Sequence, residues 1–130
     1  GDDWFRALNT VAMSAAYSPN PAEPNGFDLP FDPYTGAIVE EVWACWEALD
    51  PVNMVADSID VLKNMRAVYF DCGINYEYNL FLGARLLHQI LSEHEIDHVY
   101  EEHEGGHRHI NWRYESSLPI LTHALSRQDG

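Results

Sequence analysis

The stretch Ala67-Val68-Tyr69-Phe70-Asp71-Cys72-Gly73 constrains this chain more than any other. Arg66 to Cys72 is a near-continuous apolar run that stops at Asp71-Cys72-Gly73. That is the pattern of a strand buried on both faces of a parallel sheet and ending in a turn. From Tyr78 or Asn79 to Glu93, the spacing of Leu80, Leu82, Leu86, Leu87, Ile90 and Leu91 predicts an amphipathic helix. A second, weaker strand follows over 97–102, and its acids place it nearer an edge. It leads into Gly105-Gly106-His107, a glycine-hinged loop that presents a histidine. Parallel strands require a long crossover, and the helix between these two supplies it. The fold class expected is therefore α/β, with parallel strands and flanking helices.

The rest of the chain adds helices and no further strand. Asp3 to Tyr17 predicts a helix capped by Asp2 or Asp3, with Trp4, Leu8, Val11 and Ala15 on one face. The segment at about 18–36 stops it, because closely spaced prolines continue neither a helix nor a central strand. Phe27, Phe31 and Tyr34 make that segment a packed loop rather than a free linker, since a linker carries fewer large apolar groups. Ile38 to Leu49 has helical spacing through Val39, Val42, Trp43 and Trp46, which most simply face a core. Asp50-Pro51 then caps and opens a helix running to about Lys63. Ser116-Ser117-Leu118-Pro119 starts the last helix, with Pro119 in its first turn, and the helix ends near Arg127. Two parallel strands do not close a sheet that stands alone, so the chain is expected to be part of a larger α/β domain.

Charge narrows the partners. The net charge of -14, with 21 acids against 7 Lys plus Arg, leaves no clustered cations for nucleic acid or an anionic membrane surface. No apolar run approaches the ~20 residues of a spanning helix, and no signal peptide opens the chain. The first residues lack an initiator Met, so the expectation is a cleaved or mid-domain start. Cys45 and Cys72 are too few for a disulfide framework. They are expected to be free buried thiols in a reducing compartment, which points to a cytoplasmic location.

His94-Glu95-Ile96-Asp97-His98 matches H-E-x-x-H, the zinc-peptidase pattern, with His103, His107 and His109 downstream as possible third ligands. That chemistry needs both histidines on one face of one helix. Here the helical pattern fades at Leu91 and Ile96 to Tyr100 is strand-like. In extended backbone, residues four apart lie roughly 13 Å from each other. The zinc-peptidase reading is accordingly set third.

Tyr69 to Arg85, Ile96 to Glu102, Gly105-Gly106-His107 and Trp112 together resemble the esterase family of α/β hydrolases that includes enterochelin esterases, esterase D and feruloyl esterases. The resemblance spans nearly the whole chain, with the proline-rich segment as an insertion, and identifies it as a C-terminal portion. In that fold the serine sits on an upstream strand-to-helix elbow, and acid and then histidine follow in chain order. No G-x-S-x-G occurs here, so the elbow is expected upstream of Gly1. The resemblance implies ester hydrolysis through a serine acyl-enzyme, with His107 as the base and no metal or organic cofactor. It places the acid at position 76, which is Tyr76, a residue that cannot hold an imidazolium by charge; Glu77 and Asp71 are the substitutes. It also implies a small-molecule ester as substrate, with Phe27, Phe31 and Tyr34 as walls of its pocket. The remaining N-terminal part, or a self-associated copy, would complete the sheet. The alternative is a non-catalytic interaction module derived from a hydrolase. His88, His94, His98, His103, His109 and His123 have ordinary structural or surface roles in this reading.

Overall fold

The computed structural model describes residues 2–75 and 78–126. The chain divides into two units, Gly1–Met54 and Val55–Gly130. Among the described residues no helix is long and apolar enough to cross a membrane.

The first unit contains α1 (Asp2–Tyr17), α2 (Glu40–Glu47) and α3 (Pro51–Met54). Both expected capping aspartates lie inside α1. The proline-rich segment is ordered by its own hydrogen bonds. Buried Ser18 is the hub: its Oγ accepts from Trp46 Nε1 at 3.0 Å and donates to the Asp28 carbonyl at 2.8 Å. Asn20 Nδ2 donates to the Asp28 carboxylate at 2.9 Å. Asp32 Oδ1 accepts from the amides of Tyr34 and Thr35 at 2.9 and 2.7 Å, a turn that ends at Gly36 with φ 74°. Single antiparallel bridges join Pro19 to Phe27 and Phe31 to Ile38. The expected packing holds for Pro30, which is buried, and for half-buried Phe27 and Phe31. It fails for Tyr34, which the Asp32 turn leaves 97% exposed. Trp46 meets Tyr17 edge-on at 5.4 Å and Trp43 by stacking at 6.0 Å.

Asp50 caps α3 as its sequence suggests, its Oδ1 accepting from the Val52 amide at 2.9 Å. The expected single helix to Lys63 instead tightens into a 3₁₀ turn at Val55–Ser58 before α4 (Ile59–Lys63). Val55, at the start of that turn, is buried.

The second unit is built on β1 (Tyr69–Gly73), α5 (Leu80–Glu93) and β2 (Val99–His103). The strands pair in parallel, Tyr69 opposite Val99 and Gly73 opposite His103. The Val99 amide bonds the Val68 carbonyl at one end and the Ile74 amide bonds the His103 carbonyl at the other. Leu91, Ile96 and Val55 form the buried centre, with Ile59, Leu62, Val68, Phe70, Leu87 and Ile90 packed against it. This is a mixed helix and strand arrangement, a small parallel sheet flanked by helices.

Several expectations are corrected. β1 is half-buried rather than covered on both faces, because Tyr69 and Asp71 face a polar cluster. Cys45 is exposed on α2, although both thiols are free as expected. The last helix, α6 (Tyr114–Ser126), begins before Ser116, and Pro119 lies inside it. A 3₁₀ turn at Asn111–Arg113 runs directly into it.

Candidate functional site

Alternation along the strands creates two faces. Phe70, Cys72, Tyr100 and Glu102 lie toward α5, while Tyr69, Asp71, Glu101 and His103 lie toward the turn at Asn111–Arg113. The candidate site is the carboxyl edge of the pair, where the loops after β1 and β2 meet.

Backbone contact sets the spacing there. A Cβ on Gly73 would lie 2.1 Å from the Gly105 carbonyl oxygen, so only glycine lets the two loops approach. Asn75 Nδ2 donates to the Glu104 carbonyl at 2.8 Å and ties the same loops together. His107 follows in an exposed bend and meets Tyr78 edge-on at 6.5 Å. Tyr76 and Glu77, two of the three acid candidates, lie outside the described residues.

Asp71, the third, is drawn into an ionic cluster. Its Oδ2 accepts from Arg113 Nε at 2.7 Å and from the Tyr69 hydroxyl at 2.9 Å. Arg113 also pairs with Glu101, and Tyr69 lies 2.8 Å from the Glu101 carboxylate. One hydroxyl proton is thus shared between two carboxylates, while the Tyr69 oxygen accepts from Arg113 at 2.8 Å. Burial and both neighbouring carboxylates push the Tyr69 hydroxyl well above its ordinary value. The bonds from Tyr69 and Arg113 hold Glu101 below the usual carboxylate range. One guanidinium serves two carboxylates, so the cluster keeps a net negative charge, and it fastens the loop after β2 onto the sheet.

His103 is the buried histidine of this edge, 8% exposed, with its ring edge-on to Trp112 at 5.3 Å. Its Nδ1 accepts from the Gly105 amide at 3.0 Å, so the neutral ring carries its proton on Nε2. That atom is buried with no partner among the described residues. The sequence offers His103 only as a possible third zinc ligand and otherwise an ordinary residue; its burial follows from closing β2 at its paired position opposite Gly73.

On the α5 face, Arg85 grips Glu102 through Nε at 2.6 Å and through its terminal nitrogen at 2.8 Å. Those bonds, with one from Tyr100, bring Glu102 down to about 2. Burial lifts the Tyr100 hydroxyl to about 12, with Glu102 adding to the shift. Burial likewise raises the Cys72 thiol, helped by the charges of Asp71 and Glu102.

The H-E-x-x-H residues do not share a helix. His94 is the C-cap of α5, Glu95 has φ 56°, and His98 lies beyond the helix at the approach to β2. Among the described residues no three His, Cys, Asp or Glu side chains are grouped to hold a metal ion. Phe27, Phe31 and Tyr34 belong to the first unit, and His107 and Asp71 to the second. No protein-family model and no curated protein matches the chain.

Proposed function

We propose that the chain is the C-terminal portion of an esterase-type α/β-hydrolase, with His107 as the general base of a serine acyl-enzyme mechanism. The observation that supports this most is the parallel β1–α5–β2 unit, whose glycines at 73 and 105 pack backbone to backbone and put His107 on the adjoining loop. Ligand sites of α/β sheets form outside the carboxyl ends of the strands. Because Arg113 and Tyr69 already occupy Asp71 Oδ2, Glu77 is the better orienting acid, beside the Tyr76 that fills the usual slot.

In the completed site a serine from outside residues 1–130 attacks the ester carbonyl as His107 takes its proton. The same proton passes to the departing alkoxide, which leaves as the alcohol. Water then attacks the acyl carbonyl as His107 takes one of its protons; His107 returns that proton to the departing serine oxygen, and the acid is released.

The test is fluorophosphonate labelling and 4-nitrophenyl acetate hydrolysis by the natively purified protein with all its accompanying chains. The expected result is one labelled serine outside residues 1–130. Turnover should fall ~10³-fold or more in His107→Ala and stay near wild type in His109→Ala. Turnover undiminished in His107→Ala would refute the assignment. Absence of labelling and turnover would favour the non-catalytic interaction module, and recovery of turnover by Tyr76→Asp would then mark a decayed enzyme.

A further inference from the structure

His98 is in the right H-E-x-x-H pattern with the wrong partner. Its Nδ1 lies 2.7 Å from the Ile96 carbonyl oxygen, and a carbonyl only accepts, so Nδ1 carries the proton and Nε2 the lone pair. A ring nitrogen anchored to a backbone carbonyl, with the other left bare, is how metal-binding histidines are oriented. That lone pair accepts the proton of His88 Nδ1 across 2.7 Å, so the two rings are hydrogen-bonded to each other. One nitrogen comes from α5 and the other from the approach to β2, ten residues further along the chain.

Both rings are held in place before any ligand arrives. His98 stacks on Phe70 at 6.0 Å and His88 on Tyr100 at 5.0 Å. Phe70 and Tyr100 are register partners stacked on each other at 4.9 Å. Two convergent imidazoles on a rigid four-ring cluster lose little freedom on binding.

We propose that His88 Nδ1 and His98 Nε2 form a two-histidine site for a divalent transition-metal ion of tetragonal preference, Cu2+ foremost. At bonds of about 2.0–2.1 Å, two nitrogens on one metal stand ~2.9 Å apart at a right angle and ~3.3 Å at a tetrahedral one. Binding breaks the His88–His98 hydrogen bond and turns both lone pairs toward one point beside the N–N line; from 2.7 Å the separation widens less for the first geometry than for the second. To bind, neutral His88 transfers its proton from Nδ1 to Nε2 through water, a change of tautomer with no net loss of protons. Glu102 does not join, because Arg85 and the Tyr100 hydroxyl hold it. With no third ligand grouped here among the described residues, water fills the other positions, which suits the exposure of His88. The net charge of -14 draws cations toward the surface.

The experiment is a Cu2+ titration of the intact protein at neutral pH against glycine as competitor, followed by electron paramagnetic resonance and NMR line broadening. The expected result is one equivalent held with nitrogen hyperfine structure, and early broadening confined to signals from around His88 and His98. His88→Gln and His98→Gln should each weaken that equivalent at least ~10-fold, the least that even an outer-shell change costs. His94→Gln and His123→Gln should leave it unchanged. If a variant fails to fold, the wild-type broadening map decides: broadening centred elsewhere overturns the site. Equal weakening in the His94 and His123 variants also overturns it, as adventitious surface binding. The site stands or falls independently of the esterase proposal.

Discussion

At the scale of single residues, two arginines do different work on the two faces of one sheet. Arg113 is 13% exposed in its side chain and serves Tyr69, Asp71 and Glu101 together. Arg113→Met leaves two carboxylates and a hydroxyl facing one another without a cation. We expect a loss of about 1–3 kcal/mol in urea unfolding, below the cost for a fully buried pair because Glu101 stays 40% exposed. An unchanged urea midpoint would show that water compensates the cluster equally well. Arg85 is 51% exposed and acts mainly on the titration of Glu102. Glu102 sits near about 2 instead of its ordinary 4.5, so the unfolded chain takes up this proton first as pH falls. Its contribution to stability is therefore whole above 4.5 and is lost as pH drops from there through about 2. Arg85→Gln should raise the Glu102 midpoint toward 4.5 in a carbon-13 carboxyl titration. A midpoint that stays near about 2 would assign the depression to the Tyr100 hydroxyl instead.

At the scale of elements, two glycines of the β1–α5–β2 unit should respond to alanine in opposite senses. At Gly73 the added methyl meets the Gly105 backbone at 2.1 Å, and backbone cannot rotate away. Gly73→Ala should cost about 1–3 kcal/mol or more and part the two loops. Gly83, inside α5, has nothing within 4 Å of the same methyl. Gly83→Ala should therefore stabilise by about 0.5–1 kcal/mol through the lower entropy of the unfolded chain. Equal urea midpoints for the two variants would contradict the close approach at Gly73. Both strands and α5 were legible in the sequence because each is written in local periodicity, and the boundaries moved for local reasons. β2 starts at Val99 rather than Asp97 because His98 first bonds back to Ile96 and the ladder opens at Val99 to Val68. Pro119 marked a helix start, yet α6 begins at Tyr114, since one missing amide early in a helix interrupts only one bond. The Asp71–Arg113 and His88–His98 pairings were not legible. They join residues on different elements, 42 and ten positions apart, whose meeting depends on where a loop returns and on how α5 lies against the sheet. Periodicity in one segment carries no information about either.

At the scale of the whole molecule, an acidic charge opposes what the second unit leaves uncovered. Among the described residues the sheet has two strands, and each presents one edge without a strand partner. In the same unit Leu80, Leu82, Leu86, Trp112, Leu118 and Leu125 are 46–69% exposed. That surface favours pairing with another chain, while a net charge of -14 makes two copies repel. Screening decides between them: charges act over ~30 Å at 0.01 M salt and only ~3 Å at 1 M. Edge pairing and apolar contact operate at shorter range and survive. Sedimentation velocity should therefore show a small species at low salt and a rising mean sedimentation coefficient as NaCl is added. Substituting lysine for Val99, which is 37% exposed in β2, should suppress the rise if the sheet is the contact. Association that strengthens as salt is removed would mean that opposite charges drive it, which a chain this acidic offers only to a basic partner. A single species at every salt concentration would exclude the self-associated copy. The open edges would then call for a different occupant, and the esterase proposal expects strands of the complete hydrolase there.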